Sequence, residues 1–178
     1  MAGEVAATAR GLADALGDVV WSIDPRRDDL GNLIVHVRRF ASRVLEAQGI
    51  GWKLQAPLEP ERVKLAPDQR RHLLLIFKEA INNIARHANC KSAVISIVVI
   101  DHRLEAQIAD DGRGFDPPHG PALPDAHAGG NGLGNMRLRA AQLGGHLDID
   151  SASGRGTRLK LTVPLPHAHA VVRTPHRW

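Results

Sequence analysis

The sequence predicts an α+β fold, a two-layer sandwich in which one mixed, mostly antiparallel sheet is covered by helices on one face. Three observations carry that reading. Two strand-like runs, Ser92–Ile100 and 104–108, are separated only by a short turn at Asp101 and His102. Two more, 146–150 and 157–163, flank the glycine turn Ser153-Gly154-Arg155-Gly156. Helical patterns fall before and between these pairs, without the regular strand and helix alternation of a doubly wound parallel sheet.

In chain order, residues 1–20 read as a helix with Val5, Leu12, Ala15, Leu16 and Val19 at a rough 3.6 period. Asp24 ends it, because a residue before proline is biased away from helical backbone. A second helix is predicted over 29–47, with Leu33, Val37, Phe40, Val44 and Leu45 inward and Gly49 as its stop. Gly51–Gln55 is a short strand. The segment 56–67, with Pro57, Pro60 and Pro67, is a loop.

The most regular element is the helix predicted over 68–88. Leu73, Phe77, Ala80, Ile84 and Ala88 form one apolar stripe, and Glu79, Asn83 and His87 stand at i, i+4 and i+8 in a polar row beside it. Ser92–Ile100 is dense in β-branched residues, and Leu104, Ala106 and Ile108 alternate. Residues 117–130 show no period and read as a mobile loop. A helix resumes near Leu133 with Met136, Ala140 and Leu143 inward, and Gly144 ends it.

Composition narrows the function. At 43% hydrophobic and 24% charged residues, the chain is globular. It holds no apolar run of the ~18 residues that a spanning helix needs. The net charge of +4 is scattered and aromatics make up only 3%, so nucleic-acid binding is not expected. Cys90, the single cysteine, reads as a structural thiol. Trp21 and Trp52 read as packing residues, and the tail histidines His167, His169 and His176 as incidental rather than a metal site.

The chemistry concentrates in two glycine clusters. ADDGRGFDPP, residues 109–118, follows a buried strand, and GGNGLGN, residues 129–135, opens the next helix. Exposed N–H groups at glycine loops and at a helix N-terminus favour anions, so Gly132, Leu133 and Gly134 mark a phosphate cradle. A carboxylate and an amide oxygen one turn apart, Glu79 and Asn83, suit a hard cation such as Mg²⁺. Each signal alone is weak, since glycine turns and polar helix rows are commonly structural. Their joint appearance in order is specific.

Taken together, the motifs resemble the ATP-binding catalytic domain of bacterial two-component sensor histidine kinases, of the superfamily shared with DNA gyrase. FKEAINNIARHA (77–88) is similar to its N box, ADDGRGF (109–115) to its first glycine box, GGNGLGNM (129–136) to its second, and SGRGTRLKLTVP (153–164) to its closing G-x-G-T strand. The resemblance covers roughly residues 28–164 and implies a Bergerat-type ATP-binding fold. R-H-A in the N box and G-L-x-N-M-x-x-R-A in the second glycine box resemble the subfamily paired with helix-turn-helix response regulators. The family's separate phenylalanine box is not recognisable.

By that resemblance, Asp110 accepts from the adenine amino group, supported by Thr157, with Gly112 and Gly114 letting the backbone pass close to the base. Asn83 ligates Mg²⁺, Glu79 is the catalytic acid of the N box, and His87 lies near the phosphates. Gly130, Gly132, Leu133 and Gly134 wrap the triphosphate of ATP. Asn82 and Arg86 are surface neighbours, and Asp111 caps a turn.

The resemblance also implies a phosphoacceptor histidine on a dimerising helical hairpin, and no helix of that pattern is found: all ten histidines lie at or beyond His36. Residues 1–24 are therefore expected to be the remnant of the hairpin's second helix and its linker. Residues 25–166 are the ATPase-type catalytic domain, and 167–178 a disordered tail. The expected partners are a phosphoacceptor hairpin, from the same protein or another chain, and a response regulator of the helix-turn-helix class. The full-length protein is expected to be a dimer, cytoplasmic or at the cytoplasmic end of a membrane-anchored sensor, with no membrane contact by this segment. The alternative is an anti-sigma-type serine kinase or a nucleotide-gated binding module on the same fold.

Overall fold

Helix α1 (Leu30–Ala41) starts where Asp29, in extended backbone, accepts the Asn32 main-chain N–H at 2.8 Å through its carboxylate. That bond satisfies one of the donors that a helix start leaves unpaired. The helix belongs to a computed structural model, which describes Gly17, Trp21 and residues 28–116 and 132–165. The expected first helix over 1–20, the loop over 117–130 and the tail over 167–178 lie outside the described residues, apart from Gly17 in that helix. Leu30, Leu33, Ile34, Val37, Phe40 and Ala41 of α1 are buried.

The expected extension of this helix to residue 47 is present in altered form, as a π turn, Ser42–Glu46, closed by Gly49 at φ +68. Strand β1 (Gly51–Gln55) follows. Helix α2 (Pro67–Asn83) begins with proline in its first turn, where the missing N–H costs nothing. Gln69 reaches back to accept the Ala66 N–H at 3.0 Å, and Ala66 has no side-chain oxygen with which to return the bond. The helix expected to run unbroken to residue 88 changes at Ile84–Ala88 into a π turn. Asn89, at φ 50, then stops it in the left-handed region. The stripe behaves as its spacing requires, because Leu73, Phe77, Ala80, Ile84 and Ala88 are all buried.

The sheet comprises β1, β2 (Ser92–Ile100), β3 (Arg103–Asp110), β4 (His146–Ser151) and β5 (Thr157–Pro164), in the order β1-β2-β3-β5-β4. Only the β1–β2 pair is parallel; the others are antiparallel. Register places Leu54, Ile95, Ile108, Leu159 and Ile149 in one row across the sheet, and one step along the strands places Gln55, Ser96, Gln107, Lys160 and Asp148 in the next. Apolar side chains fill the helix-covered face, and the open face carries mostly polar ones together with the exposed Val94 and Ile100.

Helices α2 and α3 (Gly132–Gln142) pack together, α1 packs on α2, and α3 also meets β4 and β5. All of them join one core with the apolar sheet face. The fold is therefore the α+β two-layer arrangement expected from the sequence. Asp110, two residues beyond buried Ile108, emerges on the helix-covered face at the end of β3. That placement sets the end of α2 against the end of β3. Among the described residues, no helix is long and apolar enough to cross a membrane.

Candidate functional site

Between the last turns of α2 and the ends of β3 and β5 lies a cavity of about 450 Å³, within the size range of small-molecule sites. Glu79, Asn83 and His87 line it from α2, Asp110 and Gly114 from the first glycine cluster, Gly132 and Leu133 from the start of α3, and Thr157 from β5. The structure thus brings together eight of the site residues expected from sequence. Gly112 and Gly134 stand beside the cavity without lining it, and Gly130 lies outside the described residues.

Asp110 anchors one end. Its Oδ1 accepts the Gly112 N–H at 2.9 Å, and the Thr157 main-chain N–H also donates to its carboxyl. Burial pushes this carboxyl above its ordinary pKa, and those two N–H groups oppose the rise by stabilising the charged form. A half-buried carboxylate held by backbone donors is a fixed acceptor pointed at a cavity.

Asp111, its neighbour in sequence, serves the fold instead. Its Oδ1 accepts the N–H groups of Lys91 and Ser92 at 2.8 and 2.9 Å, and its Oδ2 the Ser92 hydroxyl at 2.9 Å, tying the start of β2 to the end of β3. The bonds from Ser92 hold its pKa below the usual carboxylate value.

The glycines of the first cluster make room for protein. A Cβ on Gly112 would run into the Ala88 carbonyl, and one on Gly114, at φ +61, into the Ala152 carbonyl. The loop is therefore pressed between the end of α2 and the β4–β5 turn. Arg113 between them clamps both sides. Its N–H donates to the Ala88 carbonyl at 2.8 Å and its Nε to the His87 carbonyl at 2.7 Å, while its own carbonyl accepts the Gly154 N–H at 2.6 Å. A cationic side chain on the last carbonyls of a helix is a favourable C-terminal partner.

At the other end, the Glu79 carboxylate lies against Gly132, so tightly that a Cβ there would meet it. The acid of α2 thus abuts the N-terminus of α3, where helix charge is positive. Arg86, seven residues after Glu79 and so on the same helix face, lines the cavity together with His87. Arg86 had read from sequence as a surface neighbour only. Among the described residues, no group of three His, Cys, Asp or Glu could cage a metal. Asn83 and Glu79 are the oxygen donors offered here, which fits an ion such as Mg²⁺ that keeps waters and shares substrate phosphates.

The fold is shared with known proteins. Residues 68–167 match the histidine kinase-, DNA gyrase B-, and HSP90-like ATPase family. The chain belongs to that family. It is 31% identical over 159 residues to the histidine-protein kinase/phosphatase UhpB of Salmonella typhimurium, covering 86% of this chain and 29% of that protein. To the histidine-protein kinase/phosphatase DegS of Bacillus subtilis it is 31% identical over 142 residues, covering 78% of this chain and 35% of that one. Among solved structures it is similar to the histidine kinase domain of the blue-light activated histidine kinase of Erythrobacter litoralis, with a TM-score of 0.58 and 25% identity over 75% of this chain and 61% of that domain. The chain therefore spans about a quarter to a third of the length of the curated kinases it matches.

Several features carried no sequence signal of their own. Ser151, at the end of β4, bonds the Phe115 N–H, the Gly156 carbonyl and the Thr157 hydroxyl. Phe115 itself lines the cavity. The remaining readings agree with packing roles: Trp21 is buried against the His36 ring at 4.7 Å, and Trp52 Nε1 donates to Glu46 at 3.2 Å. Burial, then Asp110 and Asp111, push the Cys90 thiol up in pKa, away from thiolate chemistry.

Proposed function

We propose that this chain is the Mg·ATP-binding catalytic domain of a sensor histidine kinase, donating the γ-phosphate to a histidine on a dimerisation hairpin. The observation that carries the proposal is the cavity's polarity. Asp110, held by a main-chain N–H, and Thr157 stand at one end, and the Glu79, Asn83 and His87 row with the α3 N-terminus stands at the other. Such a site reads a base at one end and holds an anion at the other.

Asp110 binds the adenine amino group, and the walls around Ile84, Ile108 and Leu159 enclose the flat apolar ring. The α3 N-terminus at Gly132 and Leu133, with Gly130 and Gly134, orients the phosphates. Asn83 holds the magnesium ion, with Glu79 near it. The ion, when bound, neutralises charge on the phosphates during transfer. In the transfer, a histidine ring nitrogen attacks the γ-phosphorus, a P–N bond forms, the bond to the bridging oxygen breaks, and ADP leaves. Glu79 accepts the proton of the incoming imidazole. His87 stands near the phosphates. Positioning and charge stabilisation suffice for this chemistry.

The same reading covers residues 25–166 as the catalytic domain, dimerisation of the full-length protein, a response regulator of the helix-turn-helix class as the next acceptor, and a cytoplasmic setting. The test mixes the chain with γ-labelled ATP and a separately made hairpin carrying the phosphoacceptor histidine. Acid-labile, alkali-stable label on the hairpin is expected, and its loss in Glu79→Gln. Acid-stable label on a serine protein, with none on any hairpin, would contradict the assignment.

A further inference from the structure

Ser151 touches nothing in the cavity, yet its hydroxyl joins two segments that do, one at Phe115 and one at Thr157. Its Oγ accepts the Phe115 N–H at 3.0 Å, lies 3.1 Å from the Gly156 carbonyl, and lies 3.1 Å from Thr157 Oγ1. A serine hydroxyl has one proton and two lone pairs. A carbonyl can only accept, so the serine proton goes to Gly156. The Phe115 N–H takes one lone pair, and the Thr157 hydroxyl must donate to the other. Every valence of Ser151 is then used, and the Thr157 hydroxyl has spent its only proton away from a ligand.

Thr157 therefore offers a ligand lone pairs alone, beside the carboxylate of Asp110. Because Asp110 also accepts main-chain N–H groups from Gly112 and Thr157, it is held in place as a second acceptor. Two fixed acceptors favour a group with two hydrogens to give, and a primary amine on an aromatic ring is such a group. A base without one leaves both acceptors desolvated and unpaired, which is the costly case.

We propose that Ser151 is a positioning residue that fixes the Thr157 hydroxyl as an acceptor and thereby sets the site's preference for a purine carrying a 6-amino group over the same purine without it. This rests on the nucleotide reading above. With Ser151→Ala, the Thr157 hydroxyl is free to turn its proton toward the base, where the ring nitrogen of an unsubstituted purine can accept it. Discrimination then falls. A purely structural serine would instead weaken both nucleotides by the same factor.

The experiment measures dissociation constants for ATP and for purine riboside triphosphate, with Mg²⁺, in the wild-type chain, Ser151→Ala and Ser151→Thr. The ratio of the two constants is expected to fall about three- to tenfold in Ser151→Ala, the worth of one neutral hydrogen bond. It should return toward wild type in Ser151→Thr, which keeps the hydroxyl. Thr157→Val and Thr157→Ser give the same comparison with Ser151 intact, so the test survives should Ser151→Ala not fold: Val lowers the ratio and Ser keeps it. An unchanged ratio in Ser151→Ala, or in Thr157→Val, overturns the proposal. Failure of the wild-type chain to bind ATP overturns the nucleotide reading itself.

Discussion

At one end of the cavity the chain is tied to itself by bonds among three segments, whereas at the other Glu79, Asn83 and His87 project from one helix and its π turn. The end assigned above to the base is made of Asp110, Gly112, Arg113, Phe115, Ser151, Gly156 and Thr157, and all of these except Gly112, whose bond to Asp110 is local, bond across at least one loop. The end assigned above to the phosphates offers oxygen atoms from α2 and main-chain N–H groups from the start of α3. The difference separates two tasks. Recognition of a base needs acceptors fixed before the ligand arrives. Neutralising a polyphosphate is completed by the metal and the ligand themselves.

If the base end is preorganised, the largest damage comes from forcing its layers apart. Gly114→Ala puts a Cβ into the Ala152 carbonyl in left-handed backbone. Denaturant unfolding is expected to show a loss of about 2–4 kcal/mol, from overpacking plus the left-handed penalty. A loss below about 0.5 kcal/mol would show that this wall is looser than its bonds imply.

Next is Asp110→Asn, which keeps the size of the side chain but turns a fixed acceptor partly into a donor. ATP affinity should fall about ten- to a hundredfold, the range for a hydrogen bond to a charged group. The same residue gives a pH signature. Because burial raises the Asp110 pKa, its ionised form is disfavoured in the fold, and fold stability declines as pH rises from 3.8 through the raised value. Base recognition needs the ionised form, so ATP binding should weaken on acidification while the pH is still above 3.8. That acid limb should be missing in Asp110→Asn, as followed by fluorescent-nucleotide titration across pH.

At the phosphate end, Asn83→Ala should leave unfolding nearly unchanged and lower the gain in ATP affinity that Mg²⁺ confers by about tenfold. Equal loss with and without Mg²⁺ would assign Asn83 to packing. The smallest effect belongs to Asp111→Ala. It frees the exposed N–H groups of Lys91 and Ser92, so stability should drop by no more than about 1 kcal/mol and ATP affinity should hold. The depressed pKa of Asp111 means that its contribution is present above the ordinary carboxylate value and is lost as pH falls through the folded one.

The sheet and the α2 stripe were legible because burial on one face imposes a period that the residues must obey. Leu73, Phe77, Ala80, Ile84 and Ala88 show it, as do Leu104, Ala106 and Ile108. The π turn was not legible, since Ile84 and Ala88 satisfy the stripe either way. Glycine motifs marked where the chain approaches closely but not what it approaches: Gly112 and Gly114 meet the backbone of Ala88 and Ala152. Ser151 left no trace because a single hydroxyl in a strand has no period, and its partner Phe115 is 36 residues away. For the adjacent acids, Asp110 and Asp111, the resemblance implied the division of work, and the bonding adds that Asp111 ties the start of β2 to the end of β3.

The most direct test of the account is a calorimetric titration of ATP into the chain, with and without Mg²⁺, beside Asp110→Asn. Saturable binding at one site is expected, strengthened by Mg²⁺ and lost or strongly weakened in the variant. No binding by the wild-type chain, or binding indifferent to both Mg²⁺ and Asp110, would contradict it.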